Sequence, residues 1–157
     1  MNDHTFRTAM GKFATGVTVI TTMIGEEAYG MTANAFMSVS LNPKLVLISI
    51  DENAHMNQYL QQSKKFAVSM LNADQQHMSA YFAGQIKEKQ NIDFHWFQDM
   101  PTIKDAIAAI TCEVDHAVVA GDHTLYIGRV TDLYLRDGEP LTFFEGKYRT
   151  IAPSVVK

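Results

Sequence analysis

The chain has 157 residues, of which 46% are hydrophobic and 19% are charged, and its formal net charge is −4. This length corresponds to about one ordinary domain, which can bury a core without disulfides or structural metals. The negative net charge argues against a nucleic-acid-binding protein, which needs a basic surface to contact phosphates. The charged fraction is below the roughly 25% of average globular proteins, which indicates extra surface covered by a partner subunit or a ligand.

The elements of the first half are predicted from apolar periodicity and turn residues. An apolar stripe repeating every three or four residues favours a first helix, and β-branched or alternating runs favour the strands that follow it. In chain order we expect a helix at 3–14 capped near Asp3 or Thr5, strands at 17–22 and 30–42 joined as a hairpin, a turn at Asn42–Pro43 and a central strand at 45–50.

The second half is richer in strands. In order we expect a short helix from Asp51 or Asn53 to about 62, a strand at 66–71, a helix from Asn72 or Asp74 to near Gly84, a loop at 85–99, and strands at 109–119, 123–135 and 141–144. The loop is long for a compact domain, which favours a functional or interface role. Because strands dominate and do not alternate with long crossover helices, the predicted class is mainly β: a β-barrel with short peripheral helices.

The N-terminal sequence and the cysteine content favour a cytoplasmic protein. No signal-peptide pattern is present, and no apolar run approaches the roughly 18 residues of a membrane span. The single cysteine, Cys112, cannot form an intrachain disulfide, which fits a reducing compartment. Cys112 lies in an alternating apolar run, so we interpret it as a small buried side chain and not as a nucleophile.

The stretch 30–42 has two distinct faces if it is read as a strand. Its apolar face, expected to pack into the barrel, consists of Met31, Ala33, Ala35, Met37, Val39 and Leu41. Its other face consists of Thr32, Asn34, Ser38, Ser40 and Asn42, interrupted only by Phe36. The polar face carries short hydroxyl and amide groups and no charge. Alternation alone leaves open whether this face contacts water or a planar polar ligand.

Familiar catalytic motifs are missing from the chain. It has no GxGxxG, P-loop, GxSxG, CxxC or HExxH pattern, and its six histidines do not fall at metal-ligand spacing, so no metal site is predicted. If the protein is an enzyme, a cofactor is expected to supply the difficult chemistry. The helix start at 51–54 is either a phosphate site or a simple cap, and His123, beside Gly121, is either a surface residue or a functional one.

Taken together, several segments resemble the short-chain flavin reductases, most closely the small components of two-component phenol and 4-hydroxyphenylacetate hydroxylases. The matching segments cover nearly the whole chain, in order: FRTAMGKFATGVTVITT (6–22), GMTANAFMSVSLNPKLVLISI (30–50), FAG (82–84), AGDHTLYIGRVTDL (120–133) and PLTFFEGKYR (140–149). The resemblance implies an FMN-binding split β-barrel with Greek-key connections, formed by residues 1–157 as one domain, and a homodimer.

The resemblance also implies site residues. Flavin contacts are expected from Thr32, Ala33, Asn34, Ala35, Phe36, Ser38, Val39 and Ser40, with Phe36 covering either the flavin or the dimer interface. The ribityl-phosphate is expected near Ser49, Ile50, Asp51, Asn53, Ala54 and His55, with Phe82, Ala83 and Gly84 completing the pocket. His123 is expected beside the nicotinamide, as the catalytic residue, with Tyr148 nearby. Relatives often carry Lys, Ser or Thr after the central strand, so here backbone N–H groups, His55, Lys87 or Lys89 are expected to meet the phosphate charge.

The implied activity is an NAD(P)H:flavin oxidoreductase that passes hydride from NADH to FAD or FMN. The reduced flavin would then diffuse to the oxygenase component of an aromatic hydroxylase. A non-catalytic flavin carrier or sensor on the same barrel is the alternative, and a small-molecule-binding barrel without flavin is a third hypothesis. No arginine cluster marks a 2′-phosphate site, which favours NADH over NADPH.

Overall fold

The computed structural model describes residues 1–155, which form three helices and twelve strands. The helices are α1 (Asp3–Gly11), α2 (His55–Ser63) and α3 (Gln76–Phe82). The strands are β1 (Thr15–Gly16), β2 (Thr18–Ile24), β3 (Glu27–Ala33), β4 (Phe36–Leu41), β5 (Lys44–Asp51), β6 (Lys65–Met70), β7 (Phe94–Phe97), β8 (Met100–Ile103), β9 (Ala108–Ala120), β10 (His123–Leu135), β11 (Thr142–Phe144) and β12 (Lys147–Arg149). Among these residues, no helix is long and apolar enough to cross a membrane.

Seven strands form one antiparallel sheet in the order β3-β2-β6-β9-β10-β5-β4. The two edge strands, β3 and β4, are consecutive in the chain, and only residues 34 and 35 link them. Three Cα–Cα steps from Ala33 to Phe36 span at most about 11 Å. A flat sheet of seven strands would separate its edges by roughly 29 Å. The sheet therefore curls until its edges approach each other at this link, although β3 and β4 are not paired as neighbouring strands.

Two apolar clusters lie on the two faces of the curled sheet. The barrel core contains Ile20, Ile48, Phe66 and Tyr126, all nearly inaccessible to solvent. The outer cluster, built around Val17, Val19, Leu71, Ile103, Ala106 and Leu141, packs beneath α3 and the small sheet β1-β11-β12. Because β2 sends Val19 to one cluster and Ile20 to the other, most of that strand is buried on both faces.

The prediction of one continuous strand over 30–42 is wrong. The stretch divides into β3 and β4, which lie at opposite edges of the sheet, so only its first part forms the predicted hairpin with β2. Met37, Val39 and Leu41 are exposed, whereas Phe36 packs against the barrel core. A break in a strand can reverse which face its side chains occupy, and an irregularity in the β4–β5 pairing between Ser38 and Ser40 disturbs the alternation further.

None of the predicted residues caps a helix with its side chain. The Asn2 side chain accepts a hydrogen bond from Thr5 N–H at the start of α1, while α2 and α3 begin after Ala54 and Gln75 without a side-chain cap. Two predicted caps, Asp51 and Asn72, instead accept hydrogen bonds from the backbone N–H two residues later, at 2.7 and 2.9 Å. Short polar side chains at such positions stabilise a turn before the helix. The predicted loop 85–99 also contains β7, which pairs with the unpredicted β8.

Gly128 on β10 is required by the close approach of a buried aromatic ring. A Cβ atom at this position would lie 2.4 Å from Phe66 Cζ and 3.0 Å from Cys112 Cβ. Both neighbours are buried, so Gly128→Ala is expected to lower the free energy of unfolding by about 1–3 kcal/mol through overpacking. Chemical denaturation measures this change. Gly16→Ala, whose Cβ would have no atom within 4 Å, is the control, and an equal loss in both variants would contradict the packing explanation.

Candidate active site

A cavity of about 1280 Å³ lies between α1 and the sheet. Its walls include α1, the β1–β2 segment, the link between β3 and β4 with the first two residues of β4, alternate residues of β5, the start of β10 and the segment 140–146. Most lining side chains are apolar or small and neutral. Pockets for single small ligands usually measure about 300–1,000 Å³, so this volume can hold two ligands side by side.

His123 is the first residue of β10, and pairing with β5 in the sheet fixes its position. It is the cross-strand partner of Asp51 at the end of β5, and the backbone carbonyl of Asp122 accepts a hydrogen bond from Glu52 N–H at 2.9 Å. Gly121, at φ 64°, makes the tight turn before it. The turn and the end of β5 are therefore held together, and both Asp122 and His123 line the cavity.

The Asp122 carboxylate orients the His123 ring. His123 Nδ1 and Asp122 Oδ1 are 2.8 Å apart. The hydrogen bond with His123, followed by the charge of that ring, lowers the pKa of Asp122. An ionised carboxylate only accepts hydrogen bonds, so Nδ1 carries the proton and Nε2 is left for a ligand.

Six of the predicted site residues share this cavity. They are Asn34, Ala35, Phe36, Ser49, Asp51 and His123. Ala35 lies opposite β5, where its carbonyl accepts a hydrogen bond from Ser49 N–H at 3.2 Å. The two-residue link and the end of β5 therefore form one continuous wall.

The predicted contacts at 38–40 on β4 and those around the start of α2 lie outside the cavity lining. Ser38 and Val39 are exposed and Ser40 is half-buried on the edge strand, whereas the Ile50 side chain is fully buried in the barrel core. Asn53, Ala54 and His55 follow β5. The N–H groups of Glu52, Asn53 and Ala54 already have acceptors, namely Asp122 O, Asp51 Oδ1 and Asp51 O. These three groups are therefore not free to bind a phosphate.

Another group of predicted residues gathers around α3. Thr32 Oγ1 donates to Ser79 O at 2.6 Å, and Ser79 Oγ lies 2.7 Å from Tyr148 Oη. The Phe82 ring covers Gly30, where a Cβ atom would lie 2.6 Å from the ring. Ala33 packs against the barrel core, and Ala83 and Gly84 follow α3 as exposed residues. Tyr148 does not line the cavity, but its ring centroid is 5.5 Å from that of Phe143, which does.

Lys87 and Lys89, the basic residues considered for the phosphate, lie on the exposed segment after Gly84. Neither lines the cavity. His55 is also exposed, with its ring centroid 6.5 Å from that of Tyr59. None of the three basic candidates therefore lines the cavity that His123 lines.

Helix α1 contributes residues to the site that were not predicted from the sequence. Phe6, Arg7, Met10 and Phe13 all line the cavity, although α1 has no buried residue. The helix is fastened at its end by the Lys12–Glu145 ion pair and by Glu145 N–H donating to Gly11 O at 3.0 Å. The sequence signal is the apolar stripe of Phe6, Met10 and Phe13, which predicts the helix but not the cavity that it lines.

An unsatisfied hydroxyl in the cavity wall suits a polar ligand. Thr15 lines the cavity, and its Oγ1 is the one buried side-chain oxygen or nitrogen of residues 1–155 with no hydrogen-bond partner. A buried hydroxyl without a partner costs about 1–3 kcal/mol. Hydrogen-bonding atoms of a flavin or nicotinamide nucleotide near Thr15 would relieve that cost, and the apolar walls suit the faces of their rings.

Cys112 is not a candidate nucleophile. It is buried in the barrel core, and this burial raises the pKa of its thiol to about 12. A thiol with so high a pKa carries almost no thiolate near neutral pH. Within residues 1–155, no group of three or more acidic, histidine or cysteine side chains is arranged to hold a metal ion.

Comparison with known proteins gives consistent matches along the chain. A family model described as "Flavin reductase like domain" matches residues 10–152. An NADH-dependent flavin reductase of Rhodococcus sp is 42% identical over 148 residues, covering 92% of this chain and 84% of the relative. The reductase component of 4-hydroxyphenylacetate 3-monooxygenase from Thermus thermophilus is 37% identical, covering 93% of this chain and 95% of the relative.

Solved structures agree with these matches. Flavin reductase PheA2 in its native state is 56% identical, with a TM-score of 0.95 and coverage of 97% of this chain and 99% of that chain. NADH:FAD oxidoreductase SgcE6 of Streptomyces globisporus, solved with NAD and FAD fragments, is 37% identical, with a TM-score of 0.91 and coverage of 98% and 95%. The chain belongs to the flavin reductase family.

Proposed function

We propose that this chain is an NADH-dependent flavin reductase that supplies reduced FAD or FMN to the oxygenase component of a two-component aromatic hydroxylase. The observation that carries the proposal is the cavity of about 1280 Å³ with Ala35 and Ser49 on one wall and the Asp122–His123 pair at its mouth. This site lies in a chain that belongs to the flavin reductase family. The proposal treats residues 1–157 as one domain.

In this proposal, the protein residues bind and orient the flavin and the nicotinamide nucleotide. When bound, the flavin supplies the acceptor for a hydride from the nicotinamide. His123 Nε2 would contact the nicotinamide nucleotide, and the flavin ring would rest on the wall that Asn34, Ala35 and Ser49 line. Alignment of two bound rings is the main contribution a protein makes to such a transfer. No proton relay through protein side chains is needed for a hydride transfer between two bound rings.

The direct test is anaerobic reduction of flavin by NADH. Purified protein with NADH and FAD or FMN is expected to bleach the flavin absorbance. Flavin binding without NADH oxidation would select the carrier or sensor instead. No reduction of FAD, FMN or riboflavin by NADH or NADPH would contradict the proposal.

We also propose that the protein is a homodimer with β4 in its interface. Strand β4 is an edge strand that presents Met37, Val39 and Leu41 to solvent, with Leu41 85% exposed. Exposed apolar edge strands are aggregation-prone unless another chain covers them. A second copy of this chain is the partner expected for such a face in a chain with few charges.

Leu41→Glu is expected to convert the dimer to a monomer because it places a charge in an apolar interface. Sedimentation velocity measures the change, from about twice the 17.6 kDa chain mass to one chain mass. Leu135→Glu is the matched control, since Leu135 is 75% exposed on β10 and is expected to leave the dimer intact. A wild-type monomer, or a Leu41→Glu dimer, would contradict this interface.

A cytoplasmic location belongs to the same proposal. Cys112, the single cysteine of the sequence, is a buried free thiol, which suits a reducing compartment.

The partner oxygenase would receive the reduced flavin by diffusion. A covalent or tightly docked complex is not required for that transfer.

A further inference from the structure

The cavity lining has little positive charge, although the ligands proposed to bind there are anionic. Its lining includes three carboxylates, those of Asp3, Asp51 and Asp122, and a single lysine or arginine, Arg7. A flavin nucleotide and a nicotinamide dinucleotide both carry phosphate groups. Carboxylates repel phosphates, so a cation in the wall is needed to offset that repulsion.

Arg7 is available for this role. Of the four arginines in the sequence, Arg129 and Arg136 form ion pairs with Asp115 and Asp105, and Arg149 lies over the Phe144 ring. Arg7 makes no ion pair or side-chain hydrogen bond with any residue of the described range 1–155. It makes none even with Asp3, four residues earlier on the same helix. Its charge nonetheless contributes to lowering the pKa of Asp122.

The other groups considered for a phosphate already have hydrogen-bond acceptors or do not line the cavity. The N–H groups at 52–54 have acceptors, and Lys87 and Lys89 do not line the cavity. Arg7 lies one helical turn from Met10 on α1, the lining helix that has no buried residue. A guanidinium can form two parallel hydrogen bonds with a phosphate, so an arginine on this wall suits a nucleotide better than a neutral side chain does.

We infer that Arg7 binds a phosphate group of the nucleotides in this cavity, either the pyrophosphate of NADH or the phosphate of the flavin. The inference rests on the proposed function, because it needs nucleotide ligands. It adds α1 to the binding machinery: the helix would hold the ligand from the side opposite β5.

The test compares ligands that have or lack phosphate. Arg7→Ala is expected to weaken binding of a phosphate-bearing ligand about 10- to 100-fold, as expected for the loss of a charge-assisted hydrogen bond. Dissociation constants are measured by calorimetry with NAD⁺ and by fluorescence quenching with FMN and riboflavin. Weaker binding of FMN with unchanged riboflavin places Arg7 on the flavin phosphate. Weaker NAD⁺ binding, with unchanged use of the phosphate-free donor N-benzyl-1,4-dihydronicotinamide, places it on the pyrophosphate.

Two further variants control for charge and structure. Arg7→Lys keeps the charge and is expected to retain part of the affinity. Arg136→Ala removes an arginine outside the cavity and is expected to change no dissociation constant. Unchanged binding in Arg7→Ala, or equal weakening for riboflavin and FMN, would overturn the inference while leaving the proposed function intact. Wild-type protein that binds neither flavin nor NAD⁺ would overturn both.

Discussion

Ala35→Trp is expected to weaken flavin binding by roughly 100-fold, the equivalent of about 2.7 kcal/mol, while the protein stays folded. Ala35 is exposed to the cavity from the short link between β3 and β4. It belongs to neither apolar cluster. An indole at this position would occupy the space proposed for the flavin ring without displacing any core side chain.

Fluorescence titration of FMN and FAD measures this effect, and thermal unfolding monitored by circular dichroism reports whether the fold is kept. Ala35→Ser is the matched control, because it changes the polarity of the same position with almost no change in volume. We expect the serine variant to bind flavin within about threefold of wild type. A tryptophan variant that binds flavin normally would show that the ring lies elsewhere.

His123→Ala is expected to lower kcat/KM for NADH by about 10- to 100-fold, with the flavin dissociation constant changed less than threefold. The expected loss corresponds to one hydrogen bond between His123 Nε2 and the nicotinamide nucleotide. Steady-state kinetics with NADH, combined with flavin titration, separates the two quantities. Equal loss of flavin binding would show instead that His123 supports the structure of the cavity.

His116→Ala is a closely matched control for this variant. His116 Nδ1 lies 3.0 Å from Asp115 Oδ2, so the pair repeats the chemistry of His123 and Asp122 on β9, away from the cavity lining. The loss of the His116 side chain is expected to leave NADH use unchanged.

Because the hydrogen bond with His123 holds the pKa of Asp122 below its usual range, Asp122 stays ionised as the pH falls from 7 to 5. Any loss of NADH use over that range must therefore come from another group.

Much of the fold could be predicted from local sequence patterns. The mainly β class with the split-barrel fold is confirmed, and so is the resemblance to the flavin reductase family. The long strands β9 and β10 and the turn between them agree with the predicted alternation within one or two residues. Such hairpins are defined by local turn chemistry, which a single sequence displays directly.

The break at residues 34 and 35 could not be predicted by the same means. Neither Asn34 nor Ala35 is a glycine or proline, and period-two alternation continues through them. What ends β3 there is the closure of a seven-stranded sheet, a property of long-range pairing. The same limit applies to Met37, Val39 and Leu41, whose exposure depends on which edge of the sheet β4 occupies.

The candidate site was only partly accessible to sequence reasoning. The resemblance named the residues of the β3–β4 link, the end of β5 and the turn at His123, and the structure brings six of them to one cavity. The contribution of α1 to the cavity was not predicted, because an amphipathic helix normally buries its apolar stripe against protein. Only a three-dimensional structure shows that this stripe faces open space.

The pairing of β5 with β10 has a consequence for how the protein is made. Asp51 and His123 meet across that pairing although nearly half of the chain separates them. Contacts between such distant residues form late, because closing a long loop must precede them. During synthesis the ribosome must therefore release most of the polypeptide before the cavity can exist. Until then β5 lacks β10, one of its two neighbours in the sheet, and a nascent chain stalled before residue 123 would need protection from association with other unfinished chains.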